Sequence, residues 1–155
     1  MIDLKATTVA PLQSACKIFL QDLEALPEEA FDKSFGPKVR TVADIVYEVN
    51  LVNDHIGQGL RGEEQFEWPD EGWIKAPENL RTKEAVVASF KASSEKIIAT
   101  AEGFSAEDME RTVKTEWGDK TFMERFRFIS LHLWYHSGQL NFIQTLLGDD
   151  EWHWK

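Results

Sequence analysis

Apolar residues recur at intervals of three and four over four separate stretches of the chain, the period of one face of an α-helix. From Pro11 to Leu26 they fall at Leu12, Ala15, Cys16, Phe19, Leu23 and Leu26, which predicts a first helix. Pro27, Gly36 and Pro37 then break the pattern. It resumes in "TVADIVYEVNLVNDHIGQGLRG", where Thr41 stands as N-cap, Asp44 lies near the positive end and Gly62 is the stop. The inner stripe of this second helix is Val42, Ile45, Val46, Val49, Val52, Ile56 and Leu60. A third helix starts after Thr82, turns Val86, Val87, Phe90, Ile97, Ile98 and Ala101 inward, and stops at Gly103. The fourth, from Thr121 to Leu147, is the most apolar segment of the chain.

The connections differ in kind. Between helices two and three, residues 63–81 are acidic, carry Trp68, Pro69, Gly72, Trp73 and Pro77, and show no period. A connection of that length in a small domain reads as a crossover or a lid. Before helix four, "SAEDMERTVKTEWGDKT" opens with a Ser-x-x-Asp start that predicts one helical turn, and continues into a small hairpin around Gly118-Asp119.

Composition narrows what such a protein does. The 155 residues are the size of one ordinary domain, so residues 1–155 are read as a single unit. Seventeen basic against 27 acidic residues give a formal net charge of -10, which repels phosphate backbones and anionic lipid and argues against nucleic acid or a membrane surface as partner. With no secretory leader and no apolar run long enough to span a bilayer, the expected location is the cytoplasm. The one cysteine, Cys16, rules out an internal disulfide framework and falls inside the apolar stripe of helix one, so it reads as a small buried hydrophobe.

Two of the four histidines, His132 and His136, sit four residues apart on helix four among Phe122, Ile129, Leu133, Leu140 and Ile143. At 100° per residue both fall within the inner face, where side chains at i and i+4 converge. Random placement yields one such pair about 8% of the time, so spacing alone is weak. Burial adds weight, because an imidazole on an apolar face needs a hydrogen bond or a metal. Ligation and a pair of hydrogen-bonded core histidines both satisfy that need, and the residues leave the choice open. On helix two, Glu48 flanks the stripe about 100° from Val49, with His55 one heptad further along the same edge. An edge carboxylate of this kind is usually solvated. Leucine follows His132, so "HLWYH" is not the HExxH of zinc proteases. The residues three before each histidine are Val52, Ile129, Leu133 and Asp150, which excludes the paired Glu-x-x-His of di-iron bundles.

The helix-two segment and above all "HLWYHSGQL" resemble the DinB/YfiT-like family of metal-dependent enzymes, whose fourth helix reads H-x-x-x-H-x-G-Q-L. His132, His136, Gly138, Gln139 and Leu140 fit it position by position. The resemblance extends over nearly the whole chain and implies an all-α four-helix bundle of up-down-down-up topology, with residues 63–81 as the crossover between parallel helices. It also implies a divalent metal at a three-histidine site. This chain departs from the family there, because the position of the first histidine holds Glu48. A Glu48, His132, His136 set remains a sound site for zinc or nickel, and for iron or manganese. The implied activity is that of a thiol transferase or hydrolase acting on a small molecule, with a low-molecular-weight thiol as one candidate partner. The alternative is a non-enzymatic bundle that binds a metal or small ligand, its site degenerate.

Other residues keep two readings. Gln139 either orients a ligand or substrate or is a hydrogen-bonded core glutamine, and Trp68 and Trp73 either cover a pocket or pack on the bundle. Phe128, Leu131, Trp134, Tyr135 and Phe142 lie opposite the histidine stripe, more apolar surface than one bundle face buries, and so predict a homodimer through helix four. Cover by the N-terminal segment, the crossover or the terminal "EWHWK" is the other way to bury them.

Overall fold

The computed structural model describes residues 3–69 and 72–155; of the acidic connection, Asp70 and Glu71 lie outside the described residues. Four helices carry the fold: α1 (Leu4–Ala25), α2 (Val42–Arg61), α3 (Lys83–Gly103) and α4 (Phe122–Leu146), with a two-stranded hairpin of β1 (Thr112–Thr115) and β2 (Gly118–Thr121) before the last.

Capping chemistry fixes where each helix begins. Thr41 and Thr82 accept the amides of Asp44 and Ala85. Thr121 and Glu124 form a reciprocal capping box that starts α4 directly at the end of β2. Gly62, at φ 71°, closes α2 in the left-handed conformation, and the next amide, Glu63 N–H, reaches back to Gln58 O at 2.9 Å.

Two boundaries differ from the sequence expectation, and one is met. Helix α1 begins at Leu4, not Pro11; Asp3 caps it, and burial of Thr8 and Val9 holds two turns ahead of the proline. Packing there outweighs the preference of proline for a first turn. Gly103 ends α3 where the sequence places the stop, the chain leaving it through an extended Phe104. The hairpin turns at Glu116-Trp117, with Thr115 paired to Gly118, so Gly118 at φ 92° opens the second strand and does not form the turn.

Helix directions follow from the side chains that meet. Asn50 with Ser89, Asn53 with Ser93 and Arg61 with Thr100 keep a nearly constant separation in sequence, so α2 and α3 run parallel. Lys5 reaches the Glu102 carbonyl and Glu24 pairs with Lys91, so α1 and α3 are antiparallel. The bundle is therefore up-down-down-up, and residues 63–81 are the crossover that two parallel neighbours require. Asp44 ties that crossover to α2 by accepting Ala76 N–H at 2.8 Å. Phe19, Phe90, Phe126, Ile129 and Leu133 fill the centre, fully buried.

The C-terminal residues return to the bundle. Trp154 Nε1–H donates to Asp22 on α1 at 2.6 Å, and its ring packs edge-on against Trp134 of α4. Asp22 is buried and also accepts from Ser137 and Asn141, so one carboxylate joins α1, α4 and the tail. No helix among the described residues is long and apolar enough to cross a membrane.

Candidate metal centre

Because α2 and α4 run antiparallel, one edge of each forms a continuous seam. Seven residues return a helix to within about 20° of the same direction. Glu48, Val52 and His55 follow one another along α2, and His132, Phe128 and Arg125 face them in reverse order along α4.

At one level of the seam, Glu48, His132 and His136 each bring a ligand atom within 4.8 Å of the others. His132 Nε2 is 3.0 Å from His136 Nε2 and 3.9 Å from Glu48 Oε1. The His136 Nδ1–H donates to Gln139 Oε1 at 2.8 Å, which leaves the His136 Nε2 lone pair directed at His132. In the metal-free protein His132 Nε2 must therefore carry the proton of that contact. His132 Nδ1 is buried with no hydrogen-bond partner among the described residues, so when a cation takes both Nε2 lone pairs the proton moves to a nitrogen that no protein acceptor satisfies, a cost the ion must offset. Two nitrogens bound to one ion at 2.0–2.1 Å stand about 2.9 to 3.3 Å apart, a separation the pair already has. The three residues fit a divalent ion.

Electrostatics keep the imidazoles neutral. Burial, then the positive charge of Arg40, pushes the His132 pKa down to about 4. Burial also pushes His136 down to about 4, helped by His132 and Arg40 and opposed by the bond to Gln139. Neutral imidazole is the form that binds metal. Glu48 is not the solvated carboxylate its edge position suggests: only 20% of its side chain is exposed, and it is ion-paired with Arg40.

One level along the seam lies a cavity of about 630 Å³, walled by Val52, His55, Trp68, Trp117, Arg125 and Phe128 among others. Phe128 joins the two levels, since its ring stacks on His132 with planes 10° apart. His55 takes no part in the trio; it is held by Gln65 and packs edge-on against Trp68, a fellow residue of the cavity wall. Trp73 is half exposed and stands away from the cavity wall. Gln139 is accounted for as the partner that sets the His136 tautomer.

Sequence reasoning missed Arg40 and Arg125. Arg40 precedes the N-cap of α2 and reaches Glu48 from outside any helical period, so no spacing announces it. Arg125 lies one heptad before His132, and that spacing was a usable signal.

A family model described as the DinB superfamily matches residues 12–140. No curated protein matches the sequence at a significant level. Among solved structures, a conserved protein from Enterococcus faecalis is similar at TM-score 0.73 and 14% identity, over 96% of this chain and 100% of that one. A DinB-like protein from Bacillus subtilis is similar at TM-score 0.63 and 15% identity, over 94% of each chain. A point mutant of a mycothiol-dependent maleylpyruvate isomerase is similar at TM-score 0.61 and 12% identity, over 90% of this chain and 63% of that one. At such identities these structures speak for the fold; the family match, over most of the chain, places the protein in the DinB superfamily.

Proposed function

We propose that Glu48, His132 and His136 hold a divalent metal ion, zinc or nickel first by donor set, iron or manganese next, and that the protein is a metal-dependent transferase or hydrolase acting on a small molecule. The observation that supports this most is the convergence of the three donors, with the free lone pair of His136 set by Gln139. When bound, such an ion supplies Lewis acidity, bringing the pKa of a water or thiol toward neutrality. The protein's part is to present two neutral imidazoles and one carboxylate in a half-buried pocket, and to leave the adjoining cavity open for a substrate. A low-molecular-weight thiol is the co-substrate we favour, since a fold neighbour is mycothiol-dependent.

One observation favours a second reading. Arg40 neutralises Glu48, as expected of a site that has lost its metal and survives as a small-ligand-binding bundle. Metal analysis of untagged protein prepared without chelator, followed by calorimetric titration with zinc, nickel, manganese and iron(II), separates the two. About one ion per chain, lost in His132→Ala and His136→Ala, supports the metal site; no binding of any of the four ions supports the second reading.

A further inference from the structure

The cavity beside the trio carries a positive charge for which the described residues supply no acidic partner. Arg125 lines it, half removed from water, with its guanidinium 5.7 Å from the centre of the Phe128 ring. Among the described residues no carboxylate lies within ion-pair distance of Arg125, and it makes no hydrogen bond through its side chain. Every other arginine held in a comparable setting has an acidic partner: Arg40 has Glu48, Arg61 has Glu63, and Arg81 has Asp32 and Asp44. Leaving a guanidinium partly desolvated and unpaired is unfavourable unless something else completes it. In a chain of formal net charge -10, acidic partners were plentiful.

The rest of the wall narrows the class of ligand. Lys114 adds one positive charge and Glu116 one negative, while burial and the nearby Arg125 keep His55 below its ordinary pKa and hence neutral at pH 7. The described wall residues therefore carry an excess of one positive charge, which suits a monoanion better than a phosphate dianion. Val52, Trp68, Trp117 and Phe128 provide apolar and aromatic walls, and the volume is that of a site for a small organic molecule. A planar carboxylate matches the two-pronged guanidinium.

We propose that this cavity binds an organic monocarboxylate with an aromatic or broad apolar body, its carboxylate on Arg125 and its body between Trp68, Trp117 and Phe128. This names the substrate class of the proposed enzyme and rests on that reading for its catalytic meaning, since Phe128 bridges the cavity and His132. Binding itself needs no metal.

The test uses metal-free full-length protein and three probes of one shape: 2-naphthoate, 2-naphthamide and 2-naphthylmethylamine. Calorimetry should show 2-naphthoate binding at least tenfold more tightly than the amide, and the amine more weakly still. Arg125→Met should bring the acid-to-amide ratio to about one while leaving the amide unchanged, and Arg125→Lys should keep part of the preference. Should Arg125→Met fail to fold, the wild-type preference decides the matter together with Trp117→Ala, at an exposed wall residue, which should weaken acid and amide alike and leave their ratio unchanged. Equal affinity for all three probes, or a preference that survives Arg125→Met, overturns the proposal. Because chelated protein is used, failure of the metal reading leaves this result untouched.

Discussion

The Arg40 guanidinium is ion-paired with Glu48, the carboxylate that faces His132, so the one anionic donor of the trio already has a cation. A metal ion must compete with it. Removing the charge in Arg40→Met should raise affinity for zinc and nickel by roughly tenfold, the effect of losing about 1.4 kcal/mol of like-charge repulsion near the site. Competition titration against a chromophoric chelator measures this, and unchanged affinity would show that Arg40 swings clear at no cost.

Acid should destabilise the metal-free protein through the same pair. An unfolded histidine titrates near 6.5, whereas His132 and His136 do so at about 4 when folded. Between those values the unfolded chain binds the extra protons, so stability falls as pH drops from about 6.5 to about 4. Asp22 acts with the opposite sign, because burial raises its pKa and the folded state holds its proton longer. The comparison of melting temperature against pH for the parent and for His136→Gln, both in chelator, isolates the imidazole share. The variant should show the shallower acid slope, and parallel curves would refute the assignment.

How legible the site was follows from where its residues sit. The apolar period exposed the inner face of α4 and hence the histidine pair, because burial of one face is what the pattern records. Glu48 lay on an edge of α2, where spacing made it a candidate but favoured solvent; the family resemblance made it a ligand, and the structure brings it against His132 because that edge faces α4. Arg40 was invisible for the opposite reason, being a long side chain folded back from outside the helix. The hairpin illustrates a further limit: glycine signalled a turn, but the left-handed position is the residue after the two-residue loop, so the predicted centre fell too late.

Trp154 links the tail to the bundle through one hydrogen bond and one aromatic face. Trp154→Phe should cost about 1 kcal/mol, the loss of the bond to Asp22. Trp154→Ala should cost about 2 to 3 kcal/mol, since it also uncovers Trp134. Urea unfolding of both variants checks the difference, and equal losses would mean that the ring contact contributes little.

The apolar residues predicted to form a dimer face divide in two. Trp134 is covered in part by Trp154 of the same chain, and Phe128 belongs to the cavity wall. Leu131, Tyr135 and Phe142 stay 58%, 64% and 64% exposed, and Leu146, also exposed, extends them into one stripe at intervals of four and seven along α4. Such a stripe is the seam two helices use when they pack side by side, and no part of the described chain lies over it. We propose that α4 of a second copy occupies it, because a self-complementary apolar stripe about a two-fold axis buries the same residues on both sides. Leu131→Glu with Phe142→Glu places two like charges opposite their copies and should convert a dimer to a monomer without loss of helix content. Leu131 adjoins His132 in the chain but points about 100° away from it around the helix, and Phe142 lies beyond His136, so metal binding should persist in the variant. Sedimentation equilibrium at tens of micromolar provides the measurement, and a parent protein that is monomeric there would leave the stripe without a second copy.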